Sequence, residues 1–108
     1  MMKTNMTRHA RFDRMSRLEY ILDTVGIGEV IAEIENTHDA RGGFQRLTST
    51  GVIVITSQNK RTIVTAYIAT IEQACGVYCK AKRVKRMPNN LYNRFKNNAE
   101  YVKNQPRV

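Results

Sequence analysis

The chain has no tryptophan, only two prolines and two cysteines, and half as many acidic as basic side chains, 9 against 18. No apolar run approaches the roughly 18–20 residues that a membrane-spanning helix requires. The opening stretch "MMKTNMTRHARFDRM" lacks the apolar centre of a secretory signal, so a cytoplasmic location is expected. Cys75 and Cys79 are too few for a disulfide framework. A spacing of four sets them one helical turn apart, where a disulfide has awkward geometry and a tetrahedral zinc site lacks its other ligands. Neither His9 nor His38 lies near another ligand in the sequence. The cysteines therefore read as reduced, partly buried thiols, and no metal or cofactor is expected. The scarce acids, among them Asp23, Glu29, Glu33, Glu35 and Asp39, are scattered singly and form no two-metal nuclease cluster.

The positive charge sits at the two ends of the chain. Residues 1 to 17 hold five basic side chains and one acid, for +4; residues 18 to 79 hold four and seven, for −3; residues 80 to 108 hold nine and one, for +8. A mildly acidic middle flanked by basic ends suggests a scaffold carrying a polyanion-binding surface, with nucleic acid the commonest such partner. With 108 residues and 42% hydrophobic content, one modest core is within reach.

Periodicity supplies the elements. Thr7 opens a short helix, and Ser16 with Glu19 reads as a capping box for a second helix over about 17–25, which buries Leu18, Ile21, Leu22 and Val25 and stops at Gly26 and Gly28. The period then changes to two. "EVIAEIEN", "FQRLTST", "VIVIT" and "RTIVTAYI" read as four strands, and their short connections favour an antiparallel meander. The four apolar residues of "VIVIT" mark a strand covered on both faces. "ATIEQACGVY" reads as a short helix weakened by Gly76, "KAKRVKR" as a basic run, and Leu91, Phe95, Ala99 and Val102 as one amphipathic helix over about 89–103, with Pro88 in its first turn. The expected class is α+β: N-terminal helices, a four-stranded antiparallel sheet and a basic C-terminal helical extension. The expected division is a domain over 1–79 and an extension over 80–108 packed on or beside it.

Several side chains could carry chemistry. His9 has Asp13 four residues on and Arg8, Arg11 and Arg14 around it, an acid-base pair in a positive field that suits a phosphodiester. His38, in "NTHDARGG", reads as part of a hairpin tip. Strict alternation places Val64, Ala66 and Ile68 on one face of the last strand and Ile63, Thr65 and Tyr67 on the other. It also groups Arg46 and Thr48 with Phe44. Were these to share the face of Thr65 and Tyr67, an arginine, two threonines and a tyrosine would converge to clamp a phosphate. Tyr67 could instead stack a base, and a solvated face rich in β-favouring residues fits equally well.

"RHARFDRMSRLEYI", followed by strands and then "GVIVITSQNKRTIVTAYI", resembles the small ribonuclease superfamily grouped as barnase, EndoU, colicin and RelE, in its phage and toxin branch. The likeness covers roughly residues 7–68 and leaves the basic C-terminal third unmatched. It implies metal-independent endoribonuclease activity, in which the ribose 2′-hydroxyl attacks the adjacent phosphodiester. His9 is then the proton-transfer candidate, with Thr65 and Tyr67 on the cleft face. Arg46 and Lys60 are the candidates for countering phosphate charge. Arg8, Arg11, Lys82, Arg83, Lys85 and Arg86 would add RNA affinity, the RNA being a tRNA or ribosomal RNA in a host cytoplasm. The alternative is a non-catalytic phage-type protein that binds and inhibits a host protein or ribonucleoprotein through a sheet edge or the Leu91–Val102 helix.

Overall fold

A computed structural model describes residues 5–6, 15–37 and 42–106, with side chains from Arg17 onward. The expected helix opened by Thr7 lies outside the described residues. The chain is α+β. A two-residue strand β1 (Asn5–Met6) and helix α1 (Met15–Thr24) precede four strands, β2 (Val30–Glu35), β3 (Phe44–Thr48), β4 (Val52–Thr56) and β5 (Thr62–Ile68). Helices α2 (Ile71–Lys82), α3 (Asn89–Lys96) and α4 (Ala99–Asn104) follow. β2 to β5 form an antiparallel meander, and β1 adds to β5 in parallel, giving the order β1-β5-β4-β3-β2.

Helices cover both faces of the sheet. Leu18 and Ile21 of α1 pack on Val52, Val54, Ile63, Ala66 and Ile68. On the opposite face Ala74 and Val77 of α2 pack on Ala32, Leu47 and Ile53, together with Met87 and Phe95 from the C-terminal third. This accounts for "VIVIT": alternate residues of β4 enter different cores, so every one of Val52 to Val54 is buried.

Two β-bulges change the faces that strict alternation assigns. Ile55 pairs with Thr65 but Thr56 pairs with Ile63, leaving Val64 as the extra residue. Ile63 therefore joins Ala66 and Ile68 against α1, and Val64 turns to the face of Thr65 and Tyr67. In β2, Val30 pairs with Thr48 and Ala32 with Leu47, so Ile31 is extra and Val30 lies on the α1 side.

Helix ends also differ from expectation. α1 begins at Met15, so Ser16 lies inside it rather than capping it. At its other end the N–H of Gly26, at φ +74°, donates to the carbonyl of Ile21 at 2.7 Å. The capping box belongs to α2, where Thr70 accepts from the N–H of Gln73, and Gln73 in turn accepts from the N–H of Thr70. The expected single helix over 89–103 is two, broken at Asn97 and Asn98. Asn98 is buried and donates its Nδ2 to the carbonyl of Thr50 at 2.9 Å. Gly51, at φ +90°, leaves the room for this seat, because a Cβ there would lie 2.6 Å from that Nδ2 and 3.0 Å from the Phe95 ring.

The outer edge of β5 is closed piecewise. β1 pairs with Thr62 and Ile63. Arg17 donates Nε to the carbonyl of Ala66 at 3.0 Å. The side-chain amide of Gln105 accepts from Ile68 N–H at 2.9 Å and donates to its carbonyl at 3.0 Å, the exchange a paired strand would make.

Phe95 is 1% exposed within the α2-side core. Phe95→Ala is expected to lower the unfolding free energy by about 3–5 kcal/mol in urea titration. An unchanged midpoint would mean that the C-terminal helices are appended rather than part of the core.

Candidate nucleic-acid interface

Antiparallel partners directly opposite one another share a face, so the register sorts the candidate residues. Ile34, Gln45, Ile55 and Thr65 form one cross-strand row, and Ala32, Leu47, Ile53 and Tyr67 the next. Both rows face α2. Ala32, Leu47 and Ile53 pack against the helix, and beside them, over the Ile34–Thr65 row, opens a cleft of about 600 Å³. Its floor is apolar, from Ile53, Ile55 and Val64, and its rim is polar, from Glu35, Asn36, Gln45, Thr65, Tyr67 and Lys80. Gly76 of α2 lies along it, and a Cβ at that position would meet nothing within 4 Å. The glycine that weakens the helix by sequence thus keeps the cleft wide.

Thr65 and Tyr67 do share a face, and the cation beside them is Arg17. Its Nη2 donates to Thr65 Oγ1 at 3.0 Å while its Nε holds the adjacent Ala66 carbonyl. Burial pushes the Tyr67 phenol above the ordinary tyrosine range, and the Arg17 charge pulls it part of the way back. At neutral pH the phenol keeps its proton and can donate it in a hydrogen bond.

The expected convergence of Arg46 and Thr48 with these hydroxyls does not occur. Arg46 pairs across Val54 to Ala66, the neighbour of both Thr65 and Tyr67, and so projects from the opposite face of the sheet. There Arg46 Nε lies 3.0 Å from one oxygen of Glu33 and Lys60 Nζ lies 2.9 Å from the other. The Arg46 contact is a charge pair without hydrogen-bond alignment, and it leaves the buried Nε–H unsatisfied. Lys60 also stands 4.5 Å above the centre of the Phe44 ring. Two of the expected phosphate-binding cations therefore share one carboxylate on the α1 side, separated from Thr65 by the sheet. His9, Arg8 and Arg11, and also His38, lie outside the described residues.

The expected basic run is arranged as a ridge. Lys80 and Lys82 occupy the last turn of α2, Arg83 caps it in the left-handed conformation, and Lys85 and Arg86 follow in the loop to α3. All five side chains are exposed. Among the described residues the ion pairs formed are those of Glu33 with Arg46 and Lys60, so no described carboxylate forms an ion pair with the ridge, although Glu35 lines the same cleft as Lys80. Lys80 belongs both to the ridge and to the cleft rim, and the exposed Val84 and Tyr92 lie nearby in sequence.

Sequence reasoning missed Arg17, which was counted only as part of the N-terminal charge. Its signal is position: it directly precedes the apolar stripe of Leu18 and Ile21 that seats α1 on β5, so its side chain falls at that strand's edge. No protein-family model, curated protein or solved structure matches this chain.

Tyr67 offers a direct check. Subtracting the alkaline absorbance titration of Tyr67→Phe from that of the native protein isolates this phenol, which is expected to ionise above the ordinary value of about 10. Arg17→Met moves it higher still by removing the lowering charge. A folded value above the unfolded one means that the associated stability is complete below the unfolded pKa and is lost as pH rises through the folded one. Tyr67→Phe should accordingly flatten the alkaline decline in melting temperature.

Proposed function

We propose that the chain binds single-stranded RNA, with phosphates along the Lys80–Arg86 ridge and an unstacked base in the adjoining cleft. The observation that carries this reading is the continuity of an exposed cationic ridge, without ion pairs among the described residues, with an apolar-floored cleft through one shared residue, Lys80. A cationic track beside a site for a base is the usual design for single-strand binding. The hydroxyl and amide rim of Thr65, Tyr67 and Gln45 suits a ribose 2′-hydroxyl, which both donates and accepts.

Metal-independent RNA cleavage is the second reading, and one observation favours it: Arg17, Thr65 and Tyr67 gather where a phosphate charge would be countered. In this form Arg17 replaces Arg46 and Lys60 as the balancing cation, with His9 as the proton-transfer group.

Fluorescence anisotropy with a labelled single-stranded RNA tests binding. Five phosphate contacts predict a slope of log K against log salt of about −3.5 at about −0.7 per contact. Replacing Lys82, Arg83, Lys85 and Arg86 together by alanine should bring the slope to about −0.7, and an unchanged slope would remove the ridge from the site. Gly76→Leu should fill the cleft mouth and weaken binding by about tenfold, a typical contribution of one stacked base, while leaving the salt slope intact. A gel of tRNA incubated in EDTA decides between the readings. Intact, shifted RNA is the expected result, and fragments that disappear with His9→Ala would establish the nuclease instead.

A further inference from the structure

Cys75 and Cys79 lie on one face of α2, both half-buried and unbridged. They open with Met87 into a single hollow of about 280 Å³, which Lys85, Arg86 and Tyr92 also line. Three of its lining side chains thus carry a soft sulfur. Residues four apart on a helix hold their Cβ atoms about 5–6 Å apart, whereas a disulfide draws them to about 3.5–4.5 Å. The pair is therefore spaced too widely to oxidise without bending the helix, and suitably for an ion held between the two sulfurs.

The donor set selects the ion. Among the described residues no group of three from His, Cys, Asp and Glu could hold a metal, so the ligands of a tetrahedral zinc site are absent from the described hollow. Thiolate and thioether together select a soft monovalent ion, which is satisfied by two or three sulfurs. We propose that Cys75, Cys79 and Met87 form a binding site for Cu(I), with the two thiolates as strong ligands and the Met87 thioether as the third. Two thiolates and one Cu(I) leave a single negative charge, which Lys85 and Arg86 at the rim offset. Each thiol gives up its proton to solvent as the ion enters, because the thiolate is the ligand. Lys85 and Arg86 also belong to the ridge assigned to RNA, but the three sulfur ligands do not, so substitutions at the sulfurs test this site separately.

Anaerobic titration of the full chain with Cu(I) against a chromophoric competing chelator tests the site. One tight equivalent is expected, with Ag(I) competing and Zn(II) failing to compete. Cys75→Ser and Cys79→Ser should each abolish the tight equivalent. Met87→Leu, close in volume, should weaken it by about tenfold for loss of one soft ligand, and thermal melts check that each variant folds. A Cys75→Ser/Cys79→Ser double variant that binds Cu(I) as tightly as the native protein, or Zn(II) competing on equal terms, would overturn the proposal. Unchanged affinity in Met87→Leu would overturn the three-sulfur assignment.

Discussion

Val52, Ile53, Val54 and Ile55 send apolar side chains to both faces of the central strand, and neither face can be left in water at about 25 cal/mol per Å² of apolar surface. A meander alone cannot bury them, because its hairpins all lie in one plane. The N-terminal helix takes one face through Leu18 and Ile21, and the other needs α2 together with Met87 and Phe95. The demands of one short strand thus draw distant parts of the chain into a common fold. They also fix where polar side chains can gather: at the cleft beneath α2, where Gly76 keeps the cover thin, and along the far end of that helix.

The same two-sided sheet sorts the charges. Arg46 and Lys60 lie on the α1 side and are held by Glu33, whereas the Lys80–Arg86 ridge emerges on the α2 side and forms no ion pair among the described residues. Like positive charges in the sequence therefore have different physical standing. Near Glu33 of β2, Lys60 ties down the β4–β5 hairpin and Arg46 reaches across from the adjacent β3, whereas the ridge side chains stay exposed.

Much of the architecture was legible because it rests on local periodicity. The four strands, the burial of Leu18 and Ile21 in α1, the two-sided burial of β4 and the exposure of residues 82–86 follow from spacing and residue type, whereas Leu22, expected in the same α1 stripe, is 52% exposed. What escaped depends on single residues whose role is set by distant partners. A bulge at Val64 reverses the faces before Thr65, and no local feature of "TIVTAYI" marks it. The side of the sheet taken by Arg46 follows from the register across three strands, which alternation within one strand cannot supply. Asn98 interrupts an amphipathic pattern because the carbonyl of Thr50 needs a donor and Gly51 leaves space for it. The Thr70–Gln73 capping box has the same local spacing, T-x-x-Q, as the S-x-x-E of Ser16 and Glu19, and spacing alone does not tell which of the two starts a helix.

The glutamine clasp on Ile68 has a consequence for self-association. A bare outer strand is a template on which a second copy can dock by backbone pairing alone, and sheets so exposed tend toward fibres. Gln105 occupies both main-chain groups of Ile68 with one amide, so that border is sealed by a side chain and not by another strand. Trimming the segment after α4 would uncover the main-chain groups of Ile68 and lengthen the stretch of this border open to pairing.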